Sequence, residues 1–240
     1  LNSELMNHYH RARFLDMAKI RFQKVLIQDA RQFPIRRIHF TTSESECASG
    51  VTDLVALINS SDRVQLMMAV DTLLPKDSDG NFLAFKSGAT GTEEKSDVVH
   101  DFLAYLAEQM IAMNKEKQER IEAFWQELEG ATDPATFETL RTKGKWEQSL
   151  AKAPACAPYV DAESRSTRTL DESLGWDAAC FEAFAGMLVG KTAVTRALTR
   201  VYEAHAPDYR SLVTRIAETD ELIDQIVYRL YGLTEEEIAV

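Results

Sequence analysis

Three short patterns in this sequence carry residue types that could do chemistry. Residues 185–192, Ala-Gly-Met-Leu-Val-Gly-Lys-Thr, fit the permissive spacing of a phosphate-binding loop. That chemistry needs a buried strand before the loop and a helix after it, so that backbone N–H groups face the phosphates. The preceding FEAF run sits in a helical pattern without β-branched residues, so the match reads as chance. Asp77, Glu93 and Lys95 have the types of a metal-dependent nuclease centre. There two carboxylates converge on a divalent cation and a lysine lies near the attacking water. The Glu-x-Lys part belongs on an apolar strand, whereas GTEEKSD is polar and leads into a helix cap. DSDGN at 77–81 offers oxygen ligands for calcium, but its glycine comes too early and the twelfth position is Gly88, not glutamate.

The remaining reactive side chains are scattered. His8, His10, His39, His100 and His205 form no HExxH pair and neighbour no nucleophile. Cys47, Cys156 and Cys180 are far apart and make no Cys-x-x-Cys, which predicts reduced thiols rather than a zinc site or a disulfide framework. No glycine-rich cofactor loop follows a strand, and neither an NPPY-like nor a GxSxG motif occurs. The expectation is a chain with no catalytic centre, metal or cofactor of its own.

A different chemistry is suggested by charge. The net charge is −11, yet residues 1–40 hold eight basic and three acidic side chains, a local +5 that leaves −16 for the rest. A basic end on an acidic body suits one anion-facing surface. Lysine and arginine neutralise phosphates, and arginine or glutamine can read base edges. The candidate DNA-binding residues are therefore Arg11, Arg13, Lys19, Arg21, Lys24, Gln28, Arg31, Arg36 and Arg37. The same residues could equally do no more than solvate a small α/β segment. A second basic group, Arg141, Lys143, Lys145, Arg165 and Arg168, is interleaved with acids.

The elements that would position these residues follow from periodicity. Leu1, Leu5 and Tyr9 predict a helix over 1–14, RFQKVLIQ at 21–28 predicts a short strand, and IRRIHF after Pro34 a second extended stretch. Residues 51–74 read as helix, broken at SSDR, and 75–97 as a loop. The strongest helix runs from Ser96 or Asp97 to Glu129, with Val99, Leu103, Leu106, Met110 and Met113, then Ile121, Phe124 and Leu128, spaced three and four apart on either side of an interruption at Lys117 and Arg120. A helix starts at Pro134, and 151–170 is irregular. Further helices are expected at 171–185, 193–205 and 208–232, the last amphipathic. Thr234 and Glu237 form a capping box for a final turn. The fold expected is mainly α: a small α/β N-terminal segment followed by a helical domain with one long helix. No apolar run reaches the roughly 20 residues of a membrane span, no signal peptide is evident, and a cytoplasmic location follows. The absent initiator Met and the helical start predict a fragment of a larger protein.

Three stretches together resemble the C-terminal region of type IIG restriction–modification enzymes and adenine-specific DNA methyltransferases. RFQKVLIQDARQFPIRRI resembles the end of the target-recognition region in TaqI-like C-terminal specificity domains, with Ala30 and Phe33 in place of the usual leucines. HDFLAYLAEQMIAMNKEKQERIEAFWQELEG resembles the long helix that follows, and LIDQIVYRLYGLTEEEIAV the extreme C-terminus. The resemblance implies residues 1–45 as the end of the target-recognition domain, 46–95 as a helix pair and loop linker, and 96–240 as a helical C-terminal domain. It implies double-stranded DNA and an upstream methyltransferase domain as partners, and S-adenosylmethionine bound in that upstream domain. The parent would flip an adenine and methylate its N6, while this chain holds the duplex. Two other readings stand beside it: a specificity-subunit-like DNA-binding module without a methyltransferase domain, and a helical protein-interaction domain with no DNA role. The coding sequence just upstream of Leu1 separates them.

Overall fold

Ser43 accepts a hydrogen bond from the Glu46 N–H, and Glu44 and Glu46 place negative charge in the first turn, so helix α1 (Glu44–Asn59) begins there. It ends where Ser61 takes a left-handed conformation, φ 58°. Asp62 then accepts from Gln65 N–H at 2.9 Å and starts α2 (Arg63–Leu73). The expected break at SSDR is thus a helix–turn–helix with its own stop and start.

The computed structural model describes residues 4–6, 8–9, 35–36, 38, 40–74, 94–141, 154–159, 170–189 and 192–238. Beyond α1 and α2 these form α3 (Ser96–Ala131), α4 (Pro134–Arg141), two 3-10 turns (Pro154–Tyr159 and Leu170–Gly175), α5 (Ala178–Val189), α6 (Thr192–Tyr231) and α7 (Glu235–Ile238). Among the described residues there is no strand, and the protein is mainly α with a long helix. The strand expected at 21–28 and residues 75–93 of the loop expected at 75–97 lie outside the described residues; Ile35, Arg36, Ile38 and Phe40 are neither helix nor strand.

Helix α3 starts at Ser96 as expected and runs 36 residues, two past the expected end. Helix α6 corrects the sequence reading. Residues 192–231 form one 40-residue helix with Pro207 inside it, not the two helices expected at 193–205 and 208–232. Proline removes one helical N–H and crowds the carbonyl four residues back, at a cost of roughly 3 kcal/mol. Here Pro207 is exposed, while Leu198, Tyr202, Ala206, Tyr209 and Leu212 form a continuous buried stripe on the other face. Burying such side chains is worth roughly 1.5–3 kcal/mol each, which outweighs a single lost bond on the wet side.

The end of α6 is closed locally. Gly232 sits at φ 65°, its N–H bonds to the Arg229 carbonyl, and the Leu233 N–H bonds to Tyr228. That pair of bonds is the Schellman arrangement. The capping box that follows is formed: Thr234 N–H donates to Glu237 Oε2 at 3.0 Å, and Glu237 N–H returns to Thr234 Oγ1 at 3.3 Å.

Two compact units divide the chain. Unit 1 comprises Leu1–Met110 and Glu218–Val240, and unit 2 comprises Ile111–Ala217. The core of unit 1 joins Leu54 of α1, Leu66 and Val70 of α2, Val98, Val99, Phe102 and Leu106 of α3, and Leu222, Ile226 and Leu230 of α6. Gly50 lets α1 approach α3 closely, because a Cβ there would lie 2.8 Å from Val98 Cγ1. Arg229 bonds Asp71 at 2.8 Å, which ties α2 to the end of α6. The core of unit 2 is aromatic: Phe181 stacks on Tyr202 at 4.3 Å, Phe124 meets Phe181 edge-on, and the Tyr202 hydroxyl donates to the Trp176 carbonyl.

Candidate functional site

Eight of the nine candidate DNA-binding residues, Arg11, Arg13, Lys19, Arg21, Lys24, Gln28, Arg31 and Arg37, lie outside the described residues. Arg36 is described, and its surroundings are specific. Its backbone N–H donates to Tyr231 Oη at 3.2 Å. One guanidinium nitrogen donates to the Leu230 carbonyl in the last turn of α6, and the other meets Glu94 Oε1 at 2.5 Å. The Arg36 and Glu94 side chains are 9% and 11% exposed. A cation at a helix C-terminus interacts favourably with the helix dipole and with carbonyls that have no partner inside the helix. The inward bonds make Arg36 a clasp for the segment that carries it, rather than an open phosphate ligand.

The chain just after Arg36 is held by α3. Asp97 accepts from Thr41 N–H at 3.0 Å, Thr42 N–H at 2.8 Å and Thr42 Oγ1 at 2.8 Å, and also from Val98 N–H. Burial pushes its carboxyl upward, but those four hydrogen bonds prevail and its pKa lies below the usual carboxylate value. The sequence marks Asp97 only as an N-cap. Its larger role is to pin residues 41–42 to the start of α3, so the exit of the basic segment is anchored twice.

No family model matches the chain, and neither curated proteins nor solved structures give a match.

Among the described residues the remaining chemistry-bearing side chains are not gathered into one reaction centre. Asp77, Glu93 and the 77–81 run are outside the described residues, and Lys95 is exposed. Residues 185–189 of the phosphate-loop-like pattern are the end of helix α5, so their backbone N–H groups are not arrayed as a loop. Cys47 donates to Asp101 Oδ2 at 3.0 Å, and His100 Nδ1 lies 3.0 Å from Asp101 Oδ1. That trio mimics a nucleophile–acid–base set, yet burial and the Asp101 bond push the Cys47 thiol up to about 11, which keeps it protonated at neutral pH. His205 meets Glu127 at 3.1 Å and packs edge-on against Phe124, a helix-packing histidine in unit 2. His8 is exposed, and His10 and His39 are outside the described residues. Among the described residues no group of three or more His, Cys, Asp or Glu is placed to hold a metal ion. Among them, too, no helix is long and apolar enough to cross a membrane.

Sequence reasoning missed Glu94 as a partner of Arg36 and Cys180 as a partner of Cys156. Each pair is brought together only by the fold, and no local pattern announces it.

Proposed function

We propose that this chain is the DNA-recognition and scaffold C-terminal part of an adenine-specific DNA methyltransferase of a restriction–modification system, not catalytic by itself. The observation that carries the proposal is the Arg36 clasp. Arg36 belongs to the stretch that resembles the end of a target-recognition domain, and Leu230 and Tyr231 belong to the stretch that resembles the family's C-terminus. The two resembling stretches are thus bonded to each other within unit 1, through residues 194 positions apart. A closing helix that holds the tail of a recognition segment serves a scaffold: it fixes Arg36, which follows the other basic residues of that segment in sequence. Those residues would contact phosphates and set register on the duplex, while an upstream domain reads most bases and carries S-adenosylmethionine.

Salt-dependent binding of a labelled duplex, measured by fluorescence anisotropy, tests the DNA part of this reading. Glutamine replacements of Arg11, Arg13, Arg21, Lys24, Arg31 and Arg37 should weaken binding. The slope of log K against log salt should also shrink by about 0.9 for each phosphate that is no longer neutralised. Unchanged affinity and slope would assign the basic segment to solvation and favour a protein-interaction role. For the methyltransferase part, the coding sequence upstream of Leu1 decides. A methyltransferase domain there supports it, and a second recognition domain would assign the chain to a specificity subunit instead.

A further inference from the structure

We propose that Cys156 and Cys180 are an oxidisable dithiol that closes to a disulfide inside the core of unit 2. Cys156 lies in the 3-10 turn Pro154–Tyr159 and Cys180 in the first turn of α5. Their sulfurs are 2.8 Å apart, with the Cys180 thiol donating to Cys156. The Cys156 thiol also reaches the Cys180 carbonyl at 3.5 Å. A disulfide bond is about 2.04 Å long, so closure asks the sulfurs to approach by less than about 1 Å.

The neighbourhood favours this pairing over any other. Both cysteines are fully buried, in the cluster with Leu174, Trp176, Phe181 and Phe184. The third thiol, Cys47, belongs to unit 1 and is bonded to Asp101. Burial therefore selects one partner for each sulfur of the pair and selects a small oxidant, because a bulky disulfide cannot reach them. A hydroperoxide fits that requirement. One thiolate attacks a peroxide oxygen, the O–O bond breaks, hydroxide departs, and a sulfenic acid forms. The second thiolate attacks that sulfur, the S–O bond breaks, and a second hydroxide departs. The two hydroxides take up the two thiol protons, so two thiols and one hydrogen peroxide give one disulfide and two waters. Burial, the first and largest influence on Cys180, pushes its thiol well above the ordinary range, so the reaction is slow and needs sustained oxidant.

The product would staple the turn at 154–159 to α5. It closes a loop across 24 residues of separation and removes freedom from the unfolded chain.

The test uses the full chain, folded, exposed to graded hydrogen peroxide and then denatured with a maleimide to trap free thiols. Peptide mapping by mass spectrometry should find Cys156 linked to Cys180 and Cys47 alkylated. A phosphine reductant should restore all three thiols. The thermal midpoint of the oxidised protein should rise by several degrees and return on reduction. Three fully alkylated cysteines would overturn the proposal. So would a link to Cys47, or sulfinic acid at Cys156 or Cys180 of the wild type without a link. In Cys180→Ser, Cys156 has no resolving partner and should accumulate sulfinic acid under the same exposure; a persistent link in that variant would equally overturn it.

Discussion

Replacing Arg36 by alanine should destabilise unit 1 by about 2–4 kcal/mol. Truncation leaves the Glu94 carboxylate, 11% exposed, without its counter-ion, and takes a cationic donor from the Leu230 carbonyl. Breaking a buried ion pair by removing one partner costs about 3–5 kcal/mol, and a hydrogen bond to a charged group is worth about 1.5–3 kcal/mol. The two losses overlap, and the remaining exposure lets water replace part of the pairing, which sets the lower range. Arg36→Lys keeps the charge but loses the planar fork that reaches two acceptors at once, so it should recover only about half of the loss. Glu94→Gln removes the negative charge while Arg36 can still bond Leu230. A double-mutant cycle of Arg36→Ala with Glu94→Gln should therefore give a coupling of about 1–3 kcal/mol. Urea unfolding followed by far-UV circular dichroism gives the magnitudes. Hydrogen exchange in peptides covering residues 94–106 and 222–233 gives the location. A loss below about 0.5 kcal/mol, the range of ordinary surface substitutions, together with zero coupling, would refute the clasp and return Arg36 to the pool of free cations.

Three further outcomes follow from features of the helices. Gly50→Ala should destabilise by about 1–2 kcal/mol, because the new methyl meets the buried, β-branched Val98 at 2.8 Å and the clash exceeds the gain in helix propensity; adding Val98→Ala should make the glycine replacement favourable in thermal melts. Pro207→Ala should stabilise by about 2 kcal/mol, since it restores a helical N–H at an exposed position and loses only a modest constraint on the unfolded chain; an unchanged or lower thermal midpoint would mean α6 is not continuous there. Asp97→Asn should cost about 1–3 kcal/mol at neutral pH. The folded pKa of Asp97 is depressed, so its contribution is full above the ordinary value of 3.8 and disappears as pH falls through the folded value; denaturation across acid pH should show the variant and wild type converging below 3.8.

How much of this is legible in the sequence depends on the range of each interaction. Helix starts at Ser96 and Pro134, the break at SSDR, and the close at Gly232–Glu237 are written within a few residues and can be read directly. The buried stripe of α3 is readable too, though Val98 and Phe102 widen it beyond the expected seam. The continuity of α6 through Pro207 is not readable locally, because a long apolar face outweighs the rule that proline ends a helix. Arg36 is readable as basic but not as a clasp, since its partners stand 58 and 194 positions away. The cysteines look isolated along the chain for the same reason: 24 residues separate two sulfurs that meet.

The two units also differ in how their cores are spread along the chain. Unit 2 is a single contiguous stretch, whereas unit 1 joins residues up to Met110 with residues from Glu218 onward. On a ribosome, chains fold as their parts emerge. Unit 2 can therefore complete its aromatic core first, while Val70, Val99 and Phe102 wait without the wall that Leu222, Ile226 and Leu230 supply. Of these two units the one that starts earlier is finished later, and a nascent chain halted short of Glu218 would present that half-built apolar surface to chaperones.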